Sequence, residues 1–472
     1  MVLKSLNDKN DYLMELRIKQ MLVWGFILTM LISCDKDGSS LRPNIFDNDD
    51  TKSYLNITQS SNADTVFLSW ELLNADLSFD YYQVSETTTN QTVTADRSSE
   101  GCILTHVPYN QQVKISVSLV KEQEVVKTIE RNVTITGLDT VFAGTLIPDR
   151  GSVTGGDGTY SIALPDGRSI FLMGDSYIGP VTNGARSMSD HMFRNTYIMY
   201  NNGNVSAIYG ANGDKTSAAV PPGVTDEGQK WYWPGHGFVN DNKLYIFQTL
   251  MYQGASGMWG FMYEKTDILE YSLPDMELLQ TTSVPFEGST DIHFGMAALK
   301  ENDYIYIYAQ KDVDNGLDPI SDALVARTTP DNLYTGWEYF DGSGWSGTPS
   351  DAVKMEGLSG VAVSSQFNVF KINGKYVLLT QEKQFNSGEI YTFIADNPQG
   401  PWYNKQLIYT VPQMDDSNLF TYNAMAHPQF EKDGMILISY NINTSDFQQQ
   451  HDDVSTYRPR FFWIDTNKIL GN

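Results

Sequence analysis

The stretch Tyr160–Asp175, YSIALPDGRSIFLMGD, decides how this chain is read. An apolar run, a P-D-G-R reversal and a second apolar run describe a β-hairpin, because Asp-Gly supplies the backbone angles of a tight turn. Acids mark its open end: Asp157 precedes the first strand and Asp175 closes the second. An antiparallel pair brings those two ends back to one place. The same unit returns as HGFVNDNKLYIFQ (236–248), MAALKENDYIYIYAQ (296–310), FNVFKINGKYVLLTQ (367–381) and HPQFEKDGMILISYN (427–441). Each hairpin is followed by a third apolar run and sometimes a fourth. Self-similarity of this kind predicts a five-bladed β-propeller over residues 138–472.

Laid over one another, the hairpins share a polar residue where the second strand ends: Asp175, Gln248, Gln310, Gln381 and Asn441. In a propeller these positions are expected to ring one mouth of the central channel, and only the first blade puts an acid there. Asp157 and Asp175 then face each other at that rim. Two carboxyls so placed suit glycosidic bond cleavage, one protonating the leaving oxygen while the other activates water or attacks the anomeric carbon. Closeness or burial would separate their pKa values, as that division of labour requires. The same residues also read as a turn residue and a loop cap, or as a pair holding a cation. FRNTY (193–197) places Arg194 and Asn195 beside the site, and WYWPGHGF (231–238) adds Trp231, Trp233 and His236. His293, Gln366 and His427, with Gln310 and Gln381, complete the set expected to orient sugar hydroxyls, with aromatic faces for the sugar rings. Asp291, Glu356 and Glu382 are candidates for a third acid, and each also reads as a solvated loop residue.

The chain has 472 residues and a formal net charge of −25, which argues against a nucleic-acid partner and leaves a neutral glycan acceptable. No Gly-rich phosphate loop with its lysine is present. The two cysteines, Cys34 and Cys102, lack the C-x-x-C spacing of zinc or dithiol chemistry. No cofactor is expected, a cation in the channel stays open without any readable ligand set, and Cys102 in GCILTHV reads as a buried, inert thiol. Arg17 and Lys19 precede MLVWGFILTMLIS (21–33), a signal-peptide core too short to span a bilayer comfortably. Leu31-Ile32-Ser33-Cys34 resembles a bacterial lipobox, which implies a signal peptide over 1–33, lipidation of Cys34 and anchoring in the outer membrane. DKDGSS resembles the export tag of surface lipoproteins of Bacteroidetes-like bacteria, and residues 34–50 read as a tether. Residues 51–137 alternate apolar and polar residues in strands such as TVFLSWEL and QVKISVSLV, and resemble a fibronectin-III or Ig-like sandwich acting as a spacer. The expected fold is therefore all-β, an N-terminal β-sandwich followed by the five-bladed propeller, and a monomer.

MGDSYIG followed by RNT, ALVARTTPDNLYTGWEYFDGSGW (323–345), IADNPQGPWYNKQLIY (394–409), and YNAMAHPQF with LISYNIN (422–443) occur in the order found in bacterial endo-D-arabinanase-like propellers, which this region resembles. The resemblance covers about 140–470. It implies that Asp157 and Asp175 match that family's acidic pair and that the substrate is an arabinofuranose-containing polysaccharide. GDSYIG and the polar, Met-containing loop 180–192 depart from the family's pattern. A non-catalytic, surface glycan-binding lipoprotein is the reading from another class, since it needs the aromatic residues and the tether and not both acids. A lyase or phosphorylase is a third, with Arg186, Arg194 and Arg327 as its few basic candidates.

Overall fold

The structure of the chain is a computed structural model. It describes residues 55–471 apart from 63–64, 73–76, 106, 108–111, 135–136, 211–214, 258–259, 287–290, 314–319, 384–386, 412 and 414–417. The signal segment, Cys34 and the tether lie outside the described residues.

Strand Thr65–Leu72 pairs antiparallel with Gly101–Leu104, and a second, four-stranded sheet orders Gln91–Asp96, Tyr81–Glu86, Gln112–Lys121 and Glu124–Thr134. Strand Tyr81–Glu86 alternates half-buried and buried residues along its length, the period-two signature of a sheet with one covered face. Trp70 meets Tyr82 at 4.8 Å between ring centroids. Cys102 is half-exposed, not buried as its apolar neighbours suggested, and partial burial still pushes its thiol up to about 11.

From residue 138 onward, among the described residues, five antiparallel blade sheets follow in chain order, with one small three-stranded sheet beside the first. Blade one is Tyr160–Ala163, Ser169–Met173, Thr196–Asn201 and Asn204–Ile208. Blade two is Lys230–Asn240, Lys243–Gln253, Phe261–Ser272 and Leu278–Ser283. Blade three begins Ile292–Glu301, Tyr304–Val313 and Ile320–Thr328, and blade four is Val363–Ile372, Lys375–Glu382, Glu389–Ala395 and Tyr403–Thr410. Blade five is Leu419–Lys432, Met435–Thr444 and Arg460–Asp465. The first strands of successive blades touch each other, and the first strand of blade five touches that of blade one, so the five sheets close into a ring. This is the predicted propeller. The turns that announced it are tight reversals: Asn373-Gly374 and Asp433-Gly434 both hold left-handed backbone angles at two consecutive residues, the requirement of a two-residue hairpin loop.

Each blade interface has its own apolar cluster. Ile162, Leu172 and Tyr197 of blade one pack with Leu244 and Ile246 of blade two, and Ile307 and Leu324 of blade three pack with Phe247 and Ile268 of blade two. Burying side chains of this size is worth about 1.5–3 kcal/mol each, so the interfaces, not single blades, carry the stability. The ring is locked by chain from before blade one. Leu138 bridges Phe462 on the last strand of blade five. Helix α1 (Thr140–Leu146) follows, capped by Asp139, whose Oδ1 accepts from Phe142 N at 2.8 Å. Phe142 sits among Phe171 and Tyr200 of blade one and Phe430 and Phe461 of blade five.

Candidate functional site

The acid pair lies where blade one's first two strands run on beyond their sheet. Gly155–Gly156 pairs with Ser176–Tyr177, which pairs in turn with Met192–Phe193. Between that small sheet and the blade, Asp157 N donates to Asp175 O at 3.2 Å and Gly174 N donates to Asp157 O at 2.7 Å. The two acids are therefore direct neighbours across the hairpin, as the sequence placed them. Glycines make the approach possible. A Cβ on Gly174 would stand 2.4 Å from Asp157 Oδ1, and one on Gly158, which holds φ +95°, would stand 2.7 Å from Gly174 N.

The two carboxyls have different surroundings. Asp157 Oδ2 accepts from the Tyr422 hydroxyl at 2.7 Å and lies 3.1 Å from the Tyr457 hydroxyl, which is also 2.9 Å from the Asp175 carbonyl. Asn443 Nδ2 donates to the Tyr422 oxygen and so turns that phenol's own proton toward Asp157. Asp175 Oδ1 accepts from the Trp233 indole N–H at 2.9 Å, and its Oδ2 faces Arg194 Nη1 at 3.4 Å. Arg194 is fixed by its Nε bond to Glu227 O at 3.2 Å and by lying 4.2 Å from the centroid of Trp231. Trp233 in turn packs edge-on against Trp231 and Phe261.

Burial, and then the negative charge of Asp175, push Asp157 up to about 7, against the pull of the two phenols. Burial raises Asp175 as well, but Arg194 and the indole N–H oppose it. With two carboxyls coupled this closely, one proton is shared out by environment: Asp175, facing a cation, is the better place for the charge, and Asp157 for the proton.

Of the other residues singled out from the sequence, Arg194 and Trp233 join the pair. Asn195 does not: its amide is fully buried, donating to Ala219 O and Tyr232 O and accepting from Ala219 N. His236 and His427 are struts between blades. His236 Nδ1 accepts from Ala298 N at 3.2 Å in blade three, and its Nε2 faces Ser161 O of blade one at 3.3 Å. His427 spans Ser161 Oγ at 2.7 Å and Ser439 Oγ at 2.9 Å. Burial lowers both, to about 4 and about 3, so both are neutral near pH 7. His293 stacks on Tyr263 with centroids 3.7 Å apart and meets the Gln310 amide, in blade three. Gln366, in blade four, comes near the Tyr160 hydroxyl of blade one without closing a hydrogen bond.

The polar ring expected at the mouth is instead inside the wall. Gln248, Gln381 and Asn441 are fully buried and Gln310 nearly so. Gln248 donates to the Tyr197 hydroxyl of blade one, Gln381 to Thr421 of blade five, and Asn441 accepts from Thr159 at the start of blade one. Gln248, Gln381 and Asn441 each pin one blade to a neighbour, while Gln310 bonds His293 and Ser321 of its own blade; fastening inside the wall explains a polar residue recurring at the end of an apolar strand. Among the candidate third acids, Glu382 accepts from Ser387, the Glu356 carbonyl accepts from Trp402 N, and Asp291 Oδ1 is buried with no donor among the described residues. Among the described residues no three His, Cys, Asp or Glu side chains gather as a metal site.

Sequence reasoning missed Tyr422 and Tyr457. Tyr422 lies directly opposite Asn441 in the strand register, so the overlay that found Asn441 also holds the signal for its partner.

Residues 145–466 match the family described as "Domain of unknown function (DUF5005)", and the chain belongs to that family. A comparison with curated proteins returns no match. Among solved structures, the chain is similar to a Bacteroides ovatus protein provisionally called a hydrolase, with 22% identity and a TM-score of 0.58 over 70% of this chain and 90% of that one. The likeness is one of fold. It is also similar to a GH43_1 enzyme from Xanthomonas citri complexed with xylose, at 13% identity and TM-score 0.39 over 69% of this chain and 91% of that one. A GH32 β-fructofuranosidase from Bombyx mori follows at 12% identity and TM-score 0.37, over 67% of this chain and 60% of that one.

Proposed function

We propose that this member of the family is a glycoside hydrolase acting on a polysaccharide, with Asp157 as general acid and Asp175 as the ionised nucleophile or base. The observation that carries the reading is the asymmetric geometry of the pair: Asp157 Oδ2 meets the Tyr422 and Tyr457 hydroxyls and burial raises its carboxyl to about 7, while Asp175 across the hairpin is held by Arg194 and the Trp233 indole. A carboxyl near 7 can give a proton to a leaving sugar oxygen at neutral pH, while its ionised neighbour meets the positive charge that develops on the anomeric carbon. The Trp233 ring beside Asp175, with Phe261 packed against it, offers an apolar face to a sugar. The sequence likeness to endo-D-arabinanase-like propellers makes an arabinofuranose-containing glycan the first substrate to try. On this reading the protein is lipidated at Cys34 and held on the outer membrane, with residues 51–137 as a sandwich spacer.

The experiment is digestion of arabinans, arabinogalactans and fructans, with Asp157→Asn and Asp175→Asn alongside. Oligosaccharides released by the wild type and lost in both variants support the reading. Binding of a glycan without release, unchanged in both variants, contradicts it and favours a capture protein.

A further inference from the structure

The segment after Asp175 forms a second feature that the acid pair does not use. Ile178, Gly179, Asp190, His191, Phe193 and Tyr209 line a cavity of about 280 Å³, together with Ser189 and Lys215. Its walls continue the strands of the acid site. Ser176, next to Asp175, pairs with Phe193, next to Arg194. Ile178 and Gly179 are three and four residues beyond Asp175, roughly 10–13 Å along an extended chain.

The lining has the chemistry of a sugar site. His191 meets Phe193 edge-on at 4.7 Å, and Phe193 meets Tyr209 at 5.2 Å, making an aromatic corner. Asp190 lies against Gly179, where a Cβ would stand 2.2 Å from its Oδ2. That oxygen is buried and accepts from no donor among the described residues. A buried carboxylate oxygen without a donor is uncommon in folded proteins, and the Asp190 carboxylate that carries it lines the cavity, where it can accept from a donor that enters. A sugar hydroxyl is such a donor, and the aromatic corner suits the apolar face of the same ring. Asp190 and Lys215 give the lining one charge of each sign, which fits a neutral sugar, and the small volume suits one ring.

We infer that this cavity is a flanking subsite, which holds one neutral sugar unit of the glycan chain whose bond lies at Asp157 and Asp175. Asp190 accepts its hydroxyls and Tyr209 and His191 contact its ring. The inference rests on the glycan-hydrolase reading. It assigns to the departing loop 180–192 a part in choosing the substrate.

The test uses the full chain and debranched and branched arabinans, with Asp190→Ala, Tyr209→Ala and Asp175→Asn. If the wild type cleaves, both subsite variants are expected to raise KM about tenfold with kcat little changed, and to shift the lengths of the released oligosaccharides. An unchanged KM and product pattern overturns the subsite and leaves the hydrolase standing. If the wild type cleaves nothing, the hydrolase reading fails, and affinity electrophoresis in the same arabinans decides the subsite. Retardation that both subsite variants lose supports it. Retardation they keep, or none in the wild type, overturns it.

Discussion

Gly174→Ala probes the acid site through a single methyl group. Gly174 is not among the residues with left-handed backbone angles, so alanine brings no backbone strain. Its Cβ would stand 2.4 Å from Asp157 Oδ1, where an ordinary contact needs about 3.5 Å. The carboxylate must retreat by about 1 Å. That withdraws Oδ2 from the Tyr422 and Tyr457 hydroxyls, now 2.7 and 3.1 Å away. A hydrogen bond to a charged group contributes about 1.5–3 kcal/mol. Asp157 is partly protonated near pH 7, so losing one such bond should cost ~1–2 kcal/mol of stability. Any reaction that needs Asp157 in place should slow by about 100-fold, the usual effect of a 1 Å misplacement. The assay is urea unfolding of Gly174→Ala, Asp157→Ala and the double variant. Once Asp157 is alanine there is no carboxylate to strike, so Gly174→Ala should then cost under about 0.5 kcal/mol, a coupling of at least ~0.5 kcal/mol. Equal costs in both backgrounds would refute the packing of Asp157 on Gly174.

Three further outcomes follow from the same structure. Tyr422→Phe removes a donor that favours the ionised form of Asp157, so the alkaline limb of the pH–rate profile should move up by about one pH unit; a limb that stays or falls would exclude Asp157 as the titrating acid. His427 is held neutral, its folded pKa lowered from 6.5 to about 3, so the unfolded chain binds the proton first as pH falls. Stability is then lost from about pH 6.5 downward by at most ~1.4 kcal/mol per unit, and thermal unfolding of His427→Gln should show a shallower acid slope than the wild type. Phe142→Ala empties the aromatic cluster joining blades one and five and should cost about 2–4 kcal/mol, read as a lower urea midpoint with unchanged slope.

The five blades were legible because their signals are local. Alternation and turn pairs such as Asn373-Gly374 lie within a few residues and need no knowledge of the rest of the chain. Asp157 and Asp175 were legible for the same reason, since one hairpin brings them together. Tyr422 and Tyr457 were not, because they reach Asp157 from 265 and 300 residues further on, through closure of the ring. His236, His427 and the glutamines misled in the opposite direction. Their recurrence in register is real, but the partners that use them are groups inside the wall, in other blades for Ser161 and Thr421, and in the same blade for His293 and Ser321, which hold Gln310. A repeated polar residue in a propeller therefore reports blade-to-blade fastening as readily as a ligand, and only its partner distinguishes the two.

The most direct measurement is the release of oligosaccharides from the glycan panel by the full chain, beside Asp175→Asn. Asp175→Asn keeps the shape that Trp233 and Arg194 surround and removes the charge. Release by the wild type, reduced at least about 1000-fold in Asp175→Asn with glycan binding retained, is the predicted result. Release undiminished in the variant would contradict the assignment of catalysis to this acid pair.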